Sequence, residues 1–312
     1  MVRTVNDAFL DLRNELRQAG VAGFQLEAKE LVCYALNIPR EEFFNKRGML
    51  VFERDDQRIQ RLKQQRLGGM PIQYITGQWD FYSLPLEVTR DTLIPRADTE
   101  TLVEAALETL QNRSRGRLLD LCCGSGCVGI AVLKNLTDGI SGVLADKSSA
   151  ALHVARKNLM RHYLSSRAYT VTVDAMLPAP DTLGKFNFIT CNPPYIPSAD
   201  IQTLDVEVRQ EPVMALDGGE DGLDFYRTIP RTFRTALAPG GTLAFEVGIG
   251  QCYSVMDILE REGYKNIRSK NDLCGIERVV MGSVELFIGQ RRQNIEQMFE
   301  FFRTIWYIVY IN

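Results

Sequence analysis

The chain has 312 residues, 45% hydrophobic and 24% charged, with a net charge of -3. This composition is ordinary for a globular protein, the length suggests about two domains, and the acidic balance argues against a general nucleic-acid-binding surface. Seven cysteines, with Cys122 and Cys123 adjacent and no disulfide-like spacing, point to free thiols in a reducing, cytoplasmic compartment. Met1 to Leu16 is charged throughout, so no signal peptide is expected, and no apolar run has the length of a membrane span.

In chain order, the first 70 residues or so read as short helices. Phe9, Leu10, Leu12 and Leu16 recur at helical spacing up to Gly20, and Leu26, Ala28, Leu31, Val32, Ala35 and Leu36 form a second apolar face. A charged third stretch, Asp55 to Leu67, stops at Gly68-Gly69. The expected unit is a small helical domain over 1–75, serving either packing or partner recognition. Alternation around Phe81-Tyr82 and Leu84 to Val88 predicts a linking hairpin within 76–95.

An α/β pattern follows over 96–283. Helices are expected at Thr99–Leu110, Ser149–Leu164 and Phe225–Leu237. Strands are expected at Arg117–Leu121, Gly142–Ala145, Phe186–Cys191 and, after the turn Pro239-Gly240-Gly241, Thr242–Val247. Alternating strands and helices imply a parallel sheet covered on both faces. In the extension 284–312, Ile295–Phe302 has a helical pattern and Thr304–Ile311 is apolar, which suggests a docked element or a dimer contact.

Two segments carry chemistry. Asp120 to Gly129 places Gly124-Ser125-Gly126 and Gly129 between a strand and a helix, where glycines permit a tight turn and close ligand approach. Asp146 ends the next strand, where a carboxylate can accept from two ribose hydroxyls. This much fits a nicotinamide dehydrogenase almost as well as a methyltransferase. Asp120, before the glycines, suits a cationic methionine moiety better than a pyrophosphate, which it would repel. Cys122, Cys123 and Cys127 lack a paired Cys-x-x-Cys or a nearby histidine, so no metal is expected; His153 and His162 share one predicted helix and read as surface or packing residues.

Asn192-Pro193-Pro194-Tyr195 directly follows a strand. Its prolines lack N–H groups, stiffen the turn and leave carbonyls free to accept. The Asn192 side-chain oxygen is another acceptor, and the Tyr195 ring is a flat wall. Such a turn suits a planar NH2 group, whose two N–H bonds meet two acceptors. An amide nitrogen is a poor nucleophile; acceptors on its hydrogens raise its electron density and aim it at a methyl donor.

With these segments in view, the chain resembles the release-factor glutamine N5-methyltransferases, the HemK/PrmC family, over nearly all of its length to about 283. The resemblance runs through Pro71 to Gly77, Phe81 to Leu86, Leu93 to Glu100, the glycine loop, Asp146, and Asn192 to Ile196. It continues through Glu211-Pro212, Ala215 to Gly219, Asp221 to Asp224, Glu246-Val247-Gly248 with Gln251, and Arg278 to Val280. It implies a Rossmann-like, seven-stranded class I methyltransferase sheet, with a small N-terminal helical domain joined by a β-hairpin. It implies S-adenosylmethionine as cofactor and the glutamine of the release-factor Gly-Gly-Gln loop as acceptor, with no nucleic acid and no membrane as partner. Cys122, Cys123, Gly124, Ser125, Gly126 and Asp146 would hold the cofactor, joined by Asp120, Asp174, Ala175 and Asn192. Asn192 and the Pro193 carbonyl would accept from the glutamine amide, with Pro194 and Tyr195 completing the clamp. Phe81 and Arg96 would lie near the substrate, and the N-terminal helices would contact the release factor. The family often has Gly-Thr where the similarly small Cys122-Cys123 stands, which should be tolerated, and an aromatic where this chain has Ala175, so a more open adenine pocket is expected here. A nucleic-acid amino-methyltransferase needs the same clamp but also a basic recognition region; a non-catalytic binding module predicts a damaged loop or clamp.

Overall fold

The computed structural model describes residues 3–285, so the expectations for Ile295–Phe302 and Thr304–Ile311 lie outside the described residues. The first helix, α1 (Val5–Gln18), starts at a capping box: Asp7 N–H donates to Thr4 Oγ1, and the Asp7 carboxylate accepts from Thr4 N–H. Val5, Ala8, Phe9, Leu12 and Leu16 form its buried stripe. That stripe packs with α2 (Phe24–Leu36) and with Ile59 of α3 (Glu53–Leu67) around one apolar core. Arg66, almost wholly buried, pairs with Glu27 in this unit and, at 2.6 Å, with Glu207 of the larger unit.

The linking hairpin pairs Gln78–Phe81 with Leu84–Glu87. Its two-residue turn, Tyr82-Ser83, holds φ of 50° and 61°. That is the primed geometry whose twist matches the strands, here without the usual Asn-Gly signal.

The larger unit is a seven-stranded sheet. Its strands are β1 (Gly116–Leu121), β2 (Ile140–Asp146), β3 (Ala168–Thr172), β4 (Phe186–Cys191), β5 (Leu237–Glu246), β6 (Lys265–Asn271) and β7 (Glu277–Ser283). The spatial order is β6-β7-β5-β4-β1-β2-β3, with β7 antiparallel to both neighbours. Helices α4 (Glu100–Leu110), α5 (Cys127–Lys134) and α6 (Ser149–Arg161) cover one face, and α7 (Asp224–Thr232) and α8 (Cys252–Arg261) the other. The strand alternation sorts the side chains: Leu118, Leu144 and Phe188 point to the first face, Leu119, Val143 and Ile189 to the second.

Three strands have no counterpart in the apolar pattern, namely β3, β6 and β7, although the resemblance implied a sheet of this size. The helix expected to reach Leu237 stops at Thr232, two residues after Pro230. The Pro239-Gly240-Gly241 segment lies inside β5 at a register shift rather than before it. Strand order reverses between β1 and β4. The carboxyl ends of those two strands therefore flank the crevice where open α/β sheets bind ligands.

Candidate active site

The loop after β1 is shaped by its own backbone. Cys122, Gly124 and Gly126 all have positive φ, and Cys123 N–H donates to Ala145 O at 3.0 Å, which ties the turn to the end of β2. Gly126 is required twice over. Its φ is 80°, and a Cβ there would lie 2.7 Å from Leu144 Cδ2 and 3.3 Å from Ala155 Cβ. Gly126→Ala is expected to cost about 2–4 kcal/mol, from a left-handed alanine plus overpacking. Urea denaturation checks this; an unchanged midpoint would mean the loop relaxes freely.

Two carboxylates organise this loop. Asp120 is almost wholly buried, and its oxygens accept from Gly129 N–H and Thr190 Oγ1, both at 2.9 Å. Burial pushes its pKa up to about 7. Both oxygens being engaged by the chain, Asp120 holds the strand–loop–helix junction while one edge reaches the cavity. Asp146 accepts from Gly124 N–H at 2.9 Å and Ser148 N–H at 2.8 Å, and burial raises its pKa as well. Asn158, on α6, is fully buried. Its side-chain nitrogen donates to Ser125 O and Glu87 O, at 3.0 and 2.9 Å, while its oxygen accepts from Glu87 N–H at 2.7 Å. It fastens the loop to the hairpin. Nothing in the local pattern marks Asn158, because its partners lie on other elements. His162, the residue just after α6, faces Pro85 O at 2.9 Å, a packing position.

These elements enclose a cavity of about 320 Å³. Its wall includes Cys122, Cys123, Gly124, Ser125, Asp146, Asp174, Ala175, Asn192 and Pro194. A Cβ on Gly124 would meet open space, so that backbone is exposed to an occupant. Asp174 is paired with Lys147 at 2.8 Å, and this hydrogen bond holds its pKa below the ordinary carboxylate range. The small Ala175 leaves width beside it.

The Asn192-Pro193-Pro194-Tyr195 turn leaves the end of β4, next to the loop after β1. A second segment is wrapped against it: Ile196 N–H donates to Leu216 O, and Gly218 N–H to Ile196 O, each at 2.9 Å. A Cβ on Gly218 would stand 2.7 Å from Tyr195 Cα, which explains the glycine there. Gln251 bridges from the other side, donating to Tyr195 O at 3.0 Å and accepting from Gly248 N–H at 2.9 Å. Tyr195 lies outside the cavity wall with its ring toward Gly248, and burial pushes its phenol up to about 12. Pro193 is buried within the turn. The Asn192 side-chain nitrogen reaches Thr99 Oγ1 at 3.4 Å.

Two expected substrate neighbours are placed elsewhere. Phe81 is 2% exposed and packed in the core with Leu86 and Leu102; strand alternation turns it inward, away from the cavity. Arg96 pairs with the buried carboxylate of Glu211 and lines a separate groove between the two units, with Arg66, Gly69 and Val206. Thr99, Asn158, Gly218, Glu246 and Gln251 support the site without belonging to the sequence-based site set; the segments quoted for the resemblance contain all of them but Asn158.

Comparisons with known proteins agree with this architecture. Residues 7–77 match the family model described as the PrmC N-terminal domain, and residues 98–210 match the methyltransferase small domain. The release factor glutamine methyltransferase of Geobacter sulfurreducens is 37% identical over 274 residues, covering 87% of this chain and 94% of that protein. That of Clostridium botulinum is 32% identical over 277 residues, covering 88% and 98%. Among solved structures, the hMettl16 catalytic domain in complex with the MAT2A 3'UTR hairpin 6 has a TM-score of 0.54 at 14% identity, covering 76% of this chain and 84% of that one. At that identity the likeness concerns the fold alone. With both of its units matched and relatives this similar along almost their whole length, the chain belongs to the release factor glutamine methyltransferase family.

Proposed function

We propose that this protein methylates the side-chain nitrogen of the glutamine in the Gly-Gly-Gln loop of peptide-chain release factors, with S-adenosylmethionine as donor. One observation carries the reading: Asn192 and Pro194 line the same cavity as Asp146 and the loop Cys122 to Ser125. A methyl donor held by the loop and an amide held by the turn would share one enclosed space. When bound, S-adenosylmethionine supplies a methyl group activated by a sulfonium charge.

The residues present suit that cofactor. Asp146, fixed by two backbone N–H donors, presents a carboxylate edge for ribose hydroxyls. Cys122, Cys123, Gly124 and Ser125 offer a close backbone approach, and Gly126 makes their turn possible. Asp174 and Ala175 border the space for a base. One edge of Asp120 reaches the cavity, where its carboxylate, when ionised, favours a cationic methionine moiety.

The remaining residues act on the amide. Asn192 Oδ1 and the Pro193 carbonyl accept from the two amide hydrogens, which orients the nitrogen lone pair and stabilises charge developing there. Pro194 stiffens the turn, and Tyr195, with its ring toward Gly248, braces the turn from outside the cavity wall. No strong base is required before transfer, because the proton can leave afterwards.

The N-terminal helices and the groove at Arg66 and Arg96 offer the surface for the release factor. Among the described residues, no helix is long and apolar enough to cross a membrane. The test is transfer of labelled methyl from S-adenosylmethionine to a purified release factor, beside a Gln→Asn substrate and duplex DNA. Label on the intact factor alone is expected; label on DNA alone would move the protein to the nucleic-acid methyltransferases.

A further inference from the structure

The last residue of β5, Glu246, is 2% exposed, and among the described residues its Oε2 has no hydrogen-bond partner. An unpaired buried carboxylate oxygen costs free energy and calls for a reason. Its position supplies one. Cys191 and Phe245 are register partners on adjacent parallel strands, so the next residues, Asn192 just past β4 and Glu246 at the end of β5, lie side by side. The Thr99 hydroxyl and the Asn192 side chain both face the Glu246 carboxylate. The Asn192 nitrogen also faces Thr99 Oγ1.

An asparagine amide has one accepting and one donating end, and only its neighbours decide which end points where. Behind Asn192 stand acceptors. We propose that Glu246 is a positioning residue, whose carboxylate draws the Asn192 NH2 group backward and so turns Oδ1 toward the substrate amide. This rests on the reading of Asn192 given above.

Other charged and titratable groups surround Glu246. Arg278 lies near enough to favour its ionised form, and is itself paired with Asp98 at 2.7 Å and Asp272 at 3.1 Å. Asp98 opposes ionisation. The Tyr195 phenol and the Cys127 thiol both feel the Glu246 charge, and the Tyr226 hydroxyl donates to the Glu246 backbone carbonyl at 2.8 Å. On balance burial dominates and pushes the Glu246 pKa up to about 7. Deprotonation then matters in the working range: the ionised carboxylate only accepts, whereas the protonated acid can also donate and compete with the NH2 group.

The test compares Glu246→Gln and Asn192→Ala with the unmodified enzyme on intact release factor. Glu246→Gln is expected to lower kcat by about 10–100-fold. KM for the release factor and Kd for S-adenosylhomocysteine should stay within about threefold, since neither contact is removed. The unmodified enzyme should lose kcat as pH falls through about 7, and Glu246→Gln should keep only the part of that acid limb that Asp120 contributes. A variant with unchanged kcat, or one in which kcat, KM, Kd and Tm all worsen together, overturns the positioning role. Should Glu246→Gln not fold, the acid limb of the unmodified enzyme decides: its absence overturns the proposal. An active Asn192→Ala would instead sink the clamp reading itself.

Discussion

Asn192→Ala is expected to lower kcat by about 10³-fold or more while the Kd for S-adenosylhomocysteine stays within about threefold. The side chain stands at the end of β4, on a turn stiffened by Pro193 and Pro194 and braced by Leu216, Gly218 and Gln251. Removing it leaves that frame intact, because the frame is backbone-bonded. On the proposed function, what disappears is one acceptor aimed at a nitrogen whose charge develops only during transfer. Such an interaction acts on kcat rather than on ground-state binding. Single-turnover transfer of labelled methyl, with calorimetry for the cofactor product, separates the two quantities. Loss of cofactor affinity in step with kcat would mean that Asn192 serves the donor rather than the acceptor.

Asp146→Ala should act in the opposite order. The carboxylate accepts from Gly124 N–H and Ser148 N–H, so its loss leaves two backbone donors unpaired at the mouth of the cavity. On the proposed function, a partner for the ribose goes as well. Hydrogen bonds to a charged acceptor contribute roughly 1.5–3 kcal/mol each, so cofactor Kd should weaken by about 10²–10³-fold. At saturating cofactor, much of kcat should return. Calorimetric titration with S-adenosylhomocysteine reads the first effect, and a cofactor series at fixed release factor reads the second. An unchanged Kd would remove Asp146 from the binding role.

The loop and the turn were legible in the sequence because each is a contiguous backbone device. The glycines from Gly124 to Gly129, and the two prolines after Asn192, impose conformations that neighbours in sequence alone dictate. The supports were illegible from pattern because they join residues far apart. Asn158 meets Glu87 and Ser125, Gln251 meets Tyr195, and Thr190 meets Asp120. The expectation that Phe81 lies near the substrate came from the resemblance, whereas its side chain is buried in the core with Leu86. The edge strand β6, Lys265–Asn271, has almost no apolar alternation and owes its form to pairing with β7. Tertiary pairing there overrides local propensity.

The triple contact of Asn158 has a mechanical meaning. One buried side chain grips both backbone groups of Glu87 in the hairpin and the carbonyl of Ser125 in the glycine loop. The hairpin that leads in from the helical unit and the glycine loop beside the cavity are therefore tied together by one side chain. Separating the two strips hydrogen bonds from Asn158, which couples their opening energetically.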